Sequence, residues 1–174
     1  NRQKMEDNYE IVKDSLDYIR TKIDDIPSLE HRMSYTLLVS PLGKSRGVLY
    51  SAIKHTNPER VFVIASEQTA GMINEICEET DFDLKRVQHV IVRDPHTGYD
   101  EIAQVIAEVK SRLIRAGYVV VNTTGGTTLQ GEIAHSIAKT AMDFSVCGKR
   151  IAVIDRRTYE EQQKNPYCLG ESLV

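Results

Sequence analysis

Tyr118-Val119-Val120-Val121-Asn122-Thr123-Thr124-Gly125-Gly126-Thr127-Thr128-Leu129 runs from an apolar β-type segment through a glycine pair into a helical pattern. A strand covered on both faces reads as a continuous apolar run, and two glycines give the backbone the freedom a tight strand-to-helix turn needs. A helix starting there leaves N–H groups free for an anion. Four threonine hydroxyls beside the glycines add donors and acceptors suited to phosphate, ribose or base edges. The same residues also make an ordinary turn, with Thr127 or Thr128 as an N-cap, so the rest of the chain must decide between the two.

The pattern repeats along the chain. Apolar β-type runs at 35–40, 61–65, 87–92, 118–122 and 150–155 alternate with helical stretches at 45–55, 69–80, 99–116 and 129–143. This βαβαβαβαβ order predicts an α/β fold: a Rossmann-like, doubly wound, mainly parallel sheet over residues 35–174. Ligands of such sheets sit beyond the carboxyl ends of the strands, here 40–45, 66–69, 93–99, 122–128 and 155–159. The segment after Tyr159, with Gln162, Gln163, Asn165 and Pro166, predicts a loop with short extended pieces that returns Tyr167 to the domain.

Upstream, Met5, Tyr9, Val12, Leu16, Ile19, Ile23 and Ile26 are spaced alternately by four and three residues, with Pro27 closing the segment. That predicts an amphipathic or coiled-coil helical arm over 1–30, able to pack on its own domain or to self-associate. The chain starts at Asn1, from which a further upstream segment is expected.

With 174 residues, 41% of them hydrophobic and 27% charged, the chain suits one globular domain plus an appendage. A net charge of −3 argues against nonspecific coating of nucleic acid, which needs a clustered basic surface. Cys77, Cys147 and Cys168 are odd in number and far apart, which suggests neither a disulfide framework nor a zinc site. No catalytic triad or metal cluster has recognisable spacing, and no cofactor is expected.

Several other loops carry candidate residues. Ser40-Pro41-Leu42-Gly43-Lys44-Ser45 places a hydroxyl, a glycine and a cation at the carboxyl edge, a combination suited to phosphodiester oxygens. Leu38 stands where a Walker A loop needs its first glycine, and no G-x-G-x-x-G spacing occurs, so neither an NTPase nor a dinucleotide enzyme is indicated. Gln68, in Glu67-Gln68-Thr69, can reach an adenine edge or cap a helix; Asp94 and His96 stand in the turn after the third strand.

In Leu38-Val39-Ser40-Pro41-Leu42-Gly43, Val121-Asn122-Thr123-Thr124-Gly125-Gly126-Thr127 and the segment from Arg93-Asp94 to Tyr99-Asp100-Glu101-Ile102, the chain resembles CARF domains, the CRISPR-associated Rossmann-fold sensors. The resemblance covers about 35–155. It implies a homodimer whose facing sheet edges bind cyclic oligoadenylate, most often cyclic tetra-adenylate, made by type III CRISPR complexes. It assigns ligand contacts to Ser40, Gly43, Lys44, Thr123, Thr124, Gly125, Gly126 and Thr127, with Gln68, Asp94, His96 and Gln130 at the rim.

Many members of that family have lysine directly after T-G-G-T, where this chain has Thr128, so the resemblance implies a receptor more than a ring-cleaving nuclease. It also implies, through the arm, a domain tethered on the cytoplasmic side of a prokaryotic inner membrane. On this view it signals to a membrane effector segment, with further oligomerisation through the arm and no direct DNA binding. The alternatives are a stand-alone ring nuclease and a transcriptional regulator lacking its DNA-binding domain.

Overall fold

The computed structural model describes residues 35–143 and 147–174, together with residue 15. The predicted arm and the heptad stripe lie outside the described residues. Among the described residues six strands form one sheet: β1 (Thr36–Pro41), β2 (Arg60–Ala65), β3 (Val87–Ile91), β4 (Tyr118–Asn122), β5 (Cys147–Ile154) and β6 (Glu171–Leu173). Their order is β3-β2-β1-β4-β5-β6, parallel except for β6, which pairs antiparallel with β5.

Among the described residues, helices α1 (Arg46–Thr56), α2 (Ile73–Thr80), α3 (Ile102–Arg115), α4 (Thr128–Asp143) and α5 (Tyr159–Lys164) connect them. The two-residue alternation of a strand sends Leu37 and Val39 to one face and Leu38 to the other. On the first face, Phe62, Ile64, Val119 and Val121 pack with Val109 and Leu113 of α3 and with Ile133 and Ile137 of α4. On the second, Val61, Val63 and Val120 pack with Leu49 and Ile53 of α1 and with Ile73 and Ile76 of α2. Both faces are therefore covered, which is why the middles of these strands are apolar on both sides.

The edge strand shows the opposite pattern: Gln88 and His89 of β3 are exposed. Helices α2 and α3 are each preceded by one turn of 3-10 helix, at Ala70–Met72 and Tyr99–Glu101, so the helical stretches predicted from 69 and 99 begin in that tighter form. The C-terminal segment corrects an expectation: where a loop was predicted, 159–164 is helical. Its start is a capping box, in which Thr158 Oγ1 accepts from Glu161 N and Glu161 Oε2 accepts from Thr158 N. Tyr167 does return to the domain, its ring 5.6 Å from that of Tyr50.

The strand order has one reversal, between β1 and β4. The chain leaves β1 for α1 on one face and leaves β4 for α4 on the other, so the two departing loops border a crevice at the carboxyl edge. No helix among the described residues is long and apolar enough to cross a membrane.

Candidate functional site: the carboxyl edge at the strand-order reversal

The β4 loop owes its shape to Asn122, a residue the sequence reading left without a role. Asn122 is fully buried; its Nδ2 donates to Ser40 Oγ (2.9 Å) and Thr124 O (3.2 Å), and its Oδ1 accepts from Thr124 N (3.0 Å) and Thr124 Oγ1 (2.6 Å). A side-chain amide bonding the backbone two residues on imitates a turn, which is why asparagine suits this strand end. Thr124 Oγ1 also accepts from Val153 N at 2.6 Å, and Thr123 bonds Ile151 O through both its N–H (3.0 Å) and its hydroxyl (3.2 Å). Ser40, buried, gives its own proton to Pro41 O. Ser40, Thr123 and Thr124 thus brace the loop against β1 and β5.

The glycines come next. Gly125 and Gly126 have φ of 90° and 76°, left-handed conformations that cost a residue with a Cβ but not glycine. Here their freedom serves an internal approach: a Cβ on Gly126 would collide with the Gln130 side chain, and one on Gly43 would stand 2.5 Å from Gly126 N. The β1 and β4 loops are therefore in backbone contact across the crevice.

Gln130 joins the pieces. It is 1% exposed; its Oε1 accepts from Thr127 N (2.8 Å), while Thr127 Oγ1 accepts from Gln130 N (3.3 Å). Thr-x-x-Gln is a reciprocal capping box at the start of α4, visible in the sequence as a spacing though not read there. Gln130 Nε2 then donates to Ile64 O (3.0 Å) and Leu42 O (3.4 Å), reaching the ends of β2 and β1. Every polar atom of this side chain is used inside the fold, so Gln130 positions the loop and does not stand open at its rim.

The remaining loops are tied to the same frame. Buried Thr69 donates from Oγ1 to Leu42 O (3.0 Å), linking the β2 loop to the β1 loop and leaving neighbouring Gln68 exposed. After β3, the buried Glu101 carboxylate accepts from Arg93 N (2.9 Å) and Asp94 N (3.0 Å). Asp94 in turn accepts from His96 N (3.2 Å) and from Thr97 through its N–H (3.1 Å) and its hydroxyl. The Thr97 hydroxyl and N–H, with the His96 N–H, hold the Asp94 carboxyl below the usual aspartate range, against a smaller opposing effect of burial. Thr127 Oγ1 donates to Pro95 O, drawing this loop to the β4 loop and bringing exposed His96 to the same edge. Glu101 and Thr69 were not among the sequence candidates: a helix-start glutamate and a capping threonine look alike whether or not they anchor a site.

What remains open to a ligand is a short set. Lys44 is exposed and makes no ion pair or side-chain hydrogen bond among the described residues, and the backbone N–H groups of Lys44, Gly125 and Thr128 likewise make no hydrogen bond among them. A cation and helix-start N–H groups at one edge can hold an anion. Among the described residues no cluster of three metal-ligating side chains occurs.

Comparison with known proteins bears on the fold. No family model matches the chain, and no curated protein matches it. Among solved structures, it is similar to Can2 from Sulfobacillus thermosulfidooxidans in complex with cyclic tetra-adenylate, with a TM-score of 0.52 and 14% identity. The match covers 68% of this chain and 31% of that one, so the chain corresponds to under a third of the protein it resembles.

Proposed function

We propose that this chain is the sensing domain of a receptor for cyclic oligoadenylate, with cyclic tetra-adenylate as the preferred ring, in type III CRISPR antiviral defence. The observation that carries the reading is the meeting of the β1 and β4 loops at the strand-order reversal, Gly43 against Gly126, with Lys44 beside them and N–H groups that make no hydrogen bond among the described residues. The likeness of the sheet to that of a protein solved with cyclic tetra-adenylate supports it. In this reading Lys44, Gly125, Gly126 and Thr127 meet phosphate and ribose, and Gln68, Asp94 and His96 line the adenine rim. Ser40, Thr123, Thr124 and Gln130 hold the loops in place. A ring with rotational symmetry can be met twice by a twofold dimer, each copy presenting the same groups.

Thr128 favours sensing over cutting. A cation next to the glycine loop would stabilise charge developing on a pentacoordinate phosphate, and a neutral hydroxyl does so less well. The arm over 1–30 would pass the ring-bound state of the dimer to a membrane-embedded effector segment.

Calorimetry with cyclic tetra-adenylate and with AMP tests this reading. Binding of one ring per two chains, with no response to AMP, is expected. AMP binding without ring binding would overturn it. Excess protein incubated with labelled ring should leave the ring intact; rapid appearance of linear di-adenylate would establish the nuclease alternative.

A further inference from the structure

The opposite edge of the sheet carries a second concentration of charge. A cavity of about 230 Å³ opens where β1, β2 and β3 begin, lined by Arg60, Lys85, Arg86, Arg112 and Arg115 together with Tyr35 and Gln88, and by no carboxylate among the described residues. Topology assembles this set from distant parts of the chain. Arg60 is the first residue of β2, Lys85 and Arg86 end the 3-10 turn before β3, and Arg112 and Arg115 lie in the last turn of α3.

Five cations around one cavity repel one another, an effect that water screens only in part although Arg60, Lys85, Arg86 and Arg115 are exposed. Among the described residues Arg112 has hydrogen-bond partners, Gln88 Oε1 and Glu108 O. Among the described residues, the side chains of Arg60, Lys85, Arg86 and Arg115 make no hydrogen bond or ion pair. Two of them are held by aromatic faces instead: Arg60 lies 5.0 Å from the Tyr35 ring centre and Arg86 lies 4.6 Å from that of Phe82. Stacking of this kind orders a guanidinium while leaving its N–H edge unspent, ready for a two-point contact with an oxyanion.

We infer that this amino-edge cavity is a second ligand site, for an oligophosphate group of two or more linked phosphates. A single phosphate is too small and too weakly charged to balance five cations. The volume lies below the roughly 300–1,000 Å³ of pockets that enclose a whole organic ligand, which suits a charged chain alone or the phosphate tail of a nucleotide. A nucleic-acid backbone calls for an extended basic stripe rather than a compact cluster around one opening. The site lies across the sheet from the ring site of the proposed function and does not depend on it.

Thermal unfolding and calorimetry with inorganic tripolyphosphate, orthophosphate, ATP and a short single-stranded DNA test the inference. Saturating tripolyphosphate should raise Tm by about 5 °C, and orthophosphate should bind at least about tenfold more weakly. ATP binding tighter than tripolyphosphate assigns the site to a nucleotide tail; the reverse order assigns it to a free chain. Arg115→Gln and Lys85→Gln should each weaken tripolyphosphate binding about tenfold and steepen no other transition, while Lys44→Ala leaves it unchanged. The inference fails if tripolyphosphate produces neither heat nor a Tm shift. It also fails if binding survives both glutamine substitutions, or if the DNA binds through Arg115 and Lys85 while tripolyphosphate does not.

Discussion

Gly43 lies directly against Gly126: a Cβ at position 43 would stand 2.5 Å from Gly126 N and 2.8 Å from its Cα. Two loops separated by more than eighty residues of sequence are thus in backbone contact, and the absence of one side chain permits it. Gly43→Ala should push the loops apart, costing about 1–3 kcal/mol in stability. If the crevice is the ring site, it should also cost at least tenfold in affinity for cyclic tetra-adenylate. Denaturant unfolding and calorimetry measure the two effects separately.

Asn122 is the next position to probe. Asn122→Ala strips four hydrogen bonds from a fully buried side chain and leaves Thr124 N without its acceptor. Each buried group left unpaired costs about 1–3 kcal/mol, so a loss of about 2–4 kcal/mol in unfolding free energy is expected. A loss below 0.5 kcal/mol would mean that the loop keeps its shape without this residue.

Gln130→Glu offers a test with a pH signature. The carboxylate cannot donate to Ile64 O or Leu42 O, and burial raises its pKa. The variant should be destabilised by about 2–4 kcal/mol at pH 8. Protonation restores a donor, so the deficit relative to the parent should shrink as pH falls towards 5, as read from denaturant midpoints.

Lys44→Ala should leave stability within about 0.5 kcal/mol, because the side chain is exposed and unpaired among the described residues. Its effect belongs to the ligand. If the crevice is the ring site, affinity for cyclic tetra-adenylate should fall, and the remaining affinity should depend less steeply on salt. An unchanged slope removes Lys44 from the phosphate contacts.

The C-terminal segment should loosen in acid. The Arg157 side chain, bonded to Asp155, holds that carboxyl below the usual aspartate range, and Arg157 Nη1 donates to Asn165 O at 2.7 Å. A carboxyl whose folded pKa is depressed contributes stability that is present above the unfolded value, about 4, and lost as pH falls through the folded value. The protection of amides in 159–173, taken against their intrinsic exchange rate at each pH, should therefore fall below pH 4. Asp155→Asn should show lower protection at neutral pH and little further change of protection with pH.

Much of this architecture was readable in advance because the middles of parallel strands buried on both faces are filled by apolar residues, polar ones such as Ser40 and Asn122 standing only near the carboxyl ends. Leu37-Leu38-Val39, Val61-Phe62-Val63-Ile64 and Val119-Val120-Val121 announced three strands for that reason, and Gly125-Gly126 announced a turn that needs positive φ. Helix α5 was missed although Thr158-x-x-Glu161 carries its capping box, because a six-residue helix has too few residues to show a period.

The site divides differently. Sequence alone brought Ser40, Gly43, Lys44 and 123–127 to one edge, since a doubly wound order places strand ends there. It could not separate residues that face a ligand from residues that hold the loop. Asn122 and Gln130 are braces because of where Ser40, Thr124, Ile64 and Leu42 come to lie, and Glu101 is an anchor because Arg93 and Asp94 turn their N–H groups towards it.

Sequence by itself determined the order of elements and the sheet edge at which the loops converge, since both follow from local hydrophobic period and from glycine's conformational freedom. Tertiary structure alone decided that the glycines serve each other's close approach and that Gln130 spends its amide inside the fold. It alone gathered Arg60, Lys85 and Arg115 around one cavity. Those facts depend on distances between residues far apart in the chain, which no local pattern encodes.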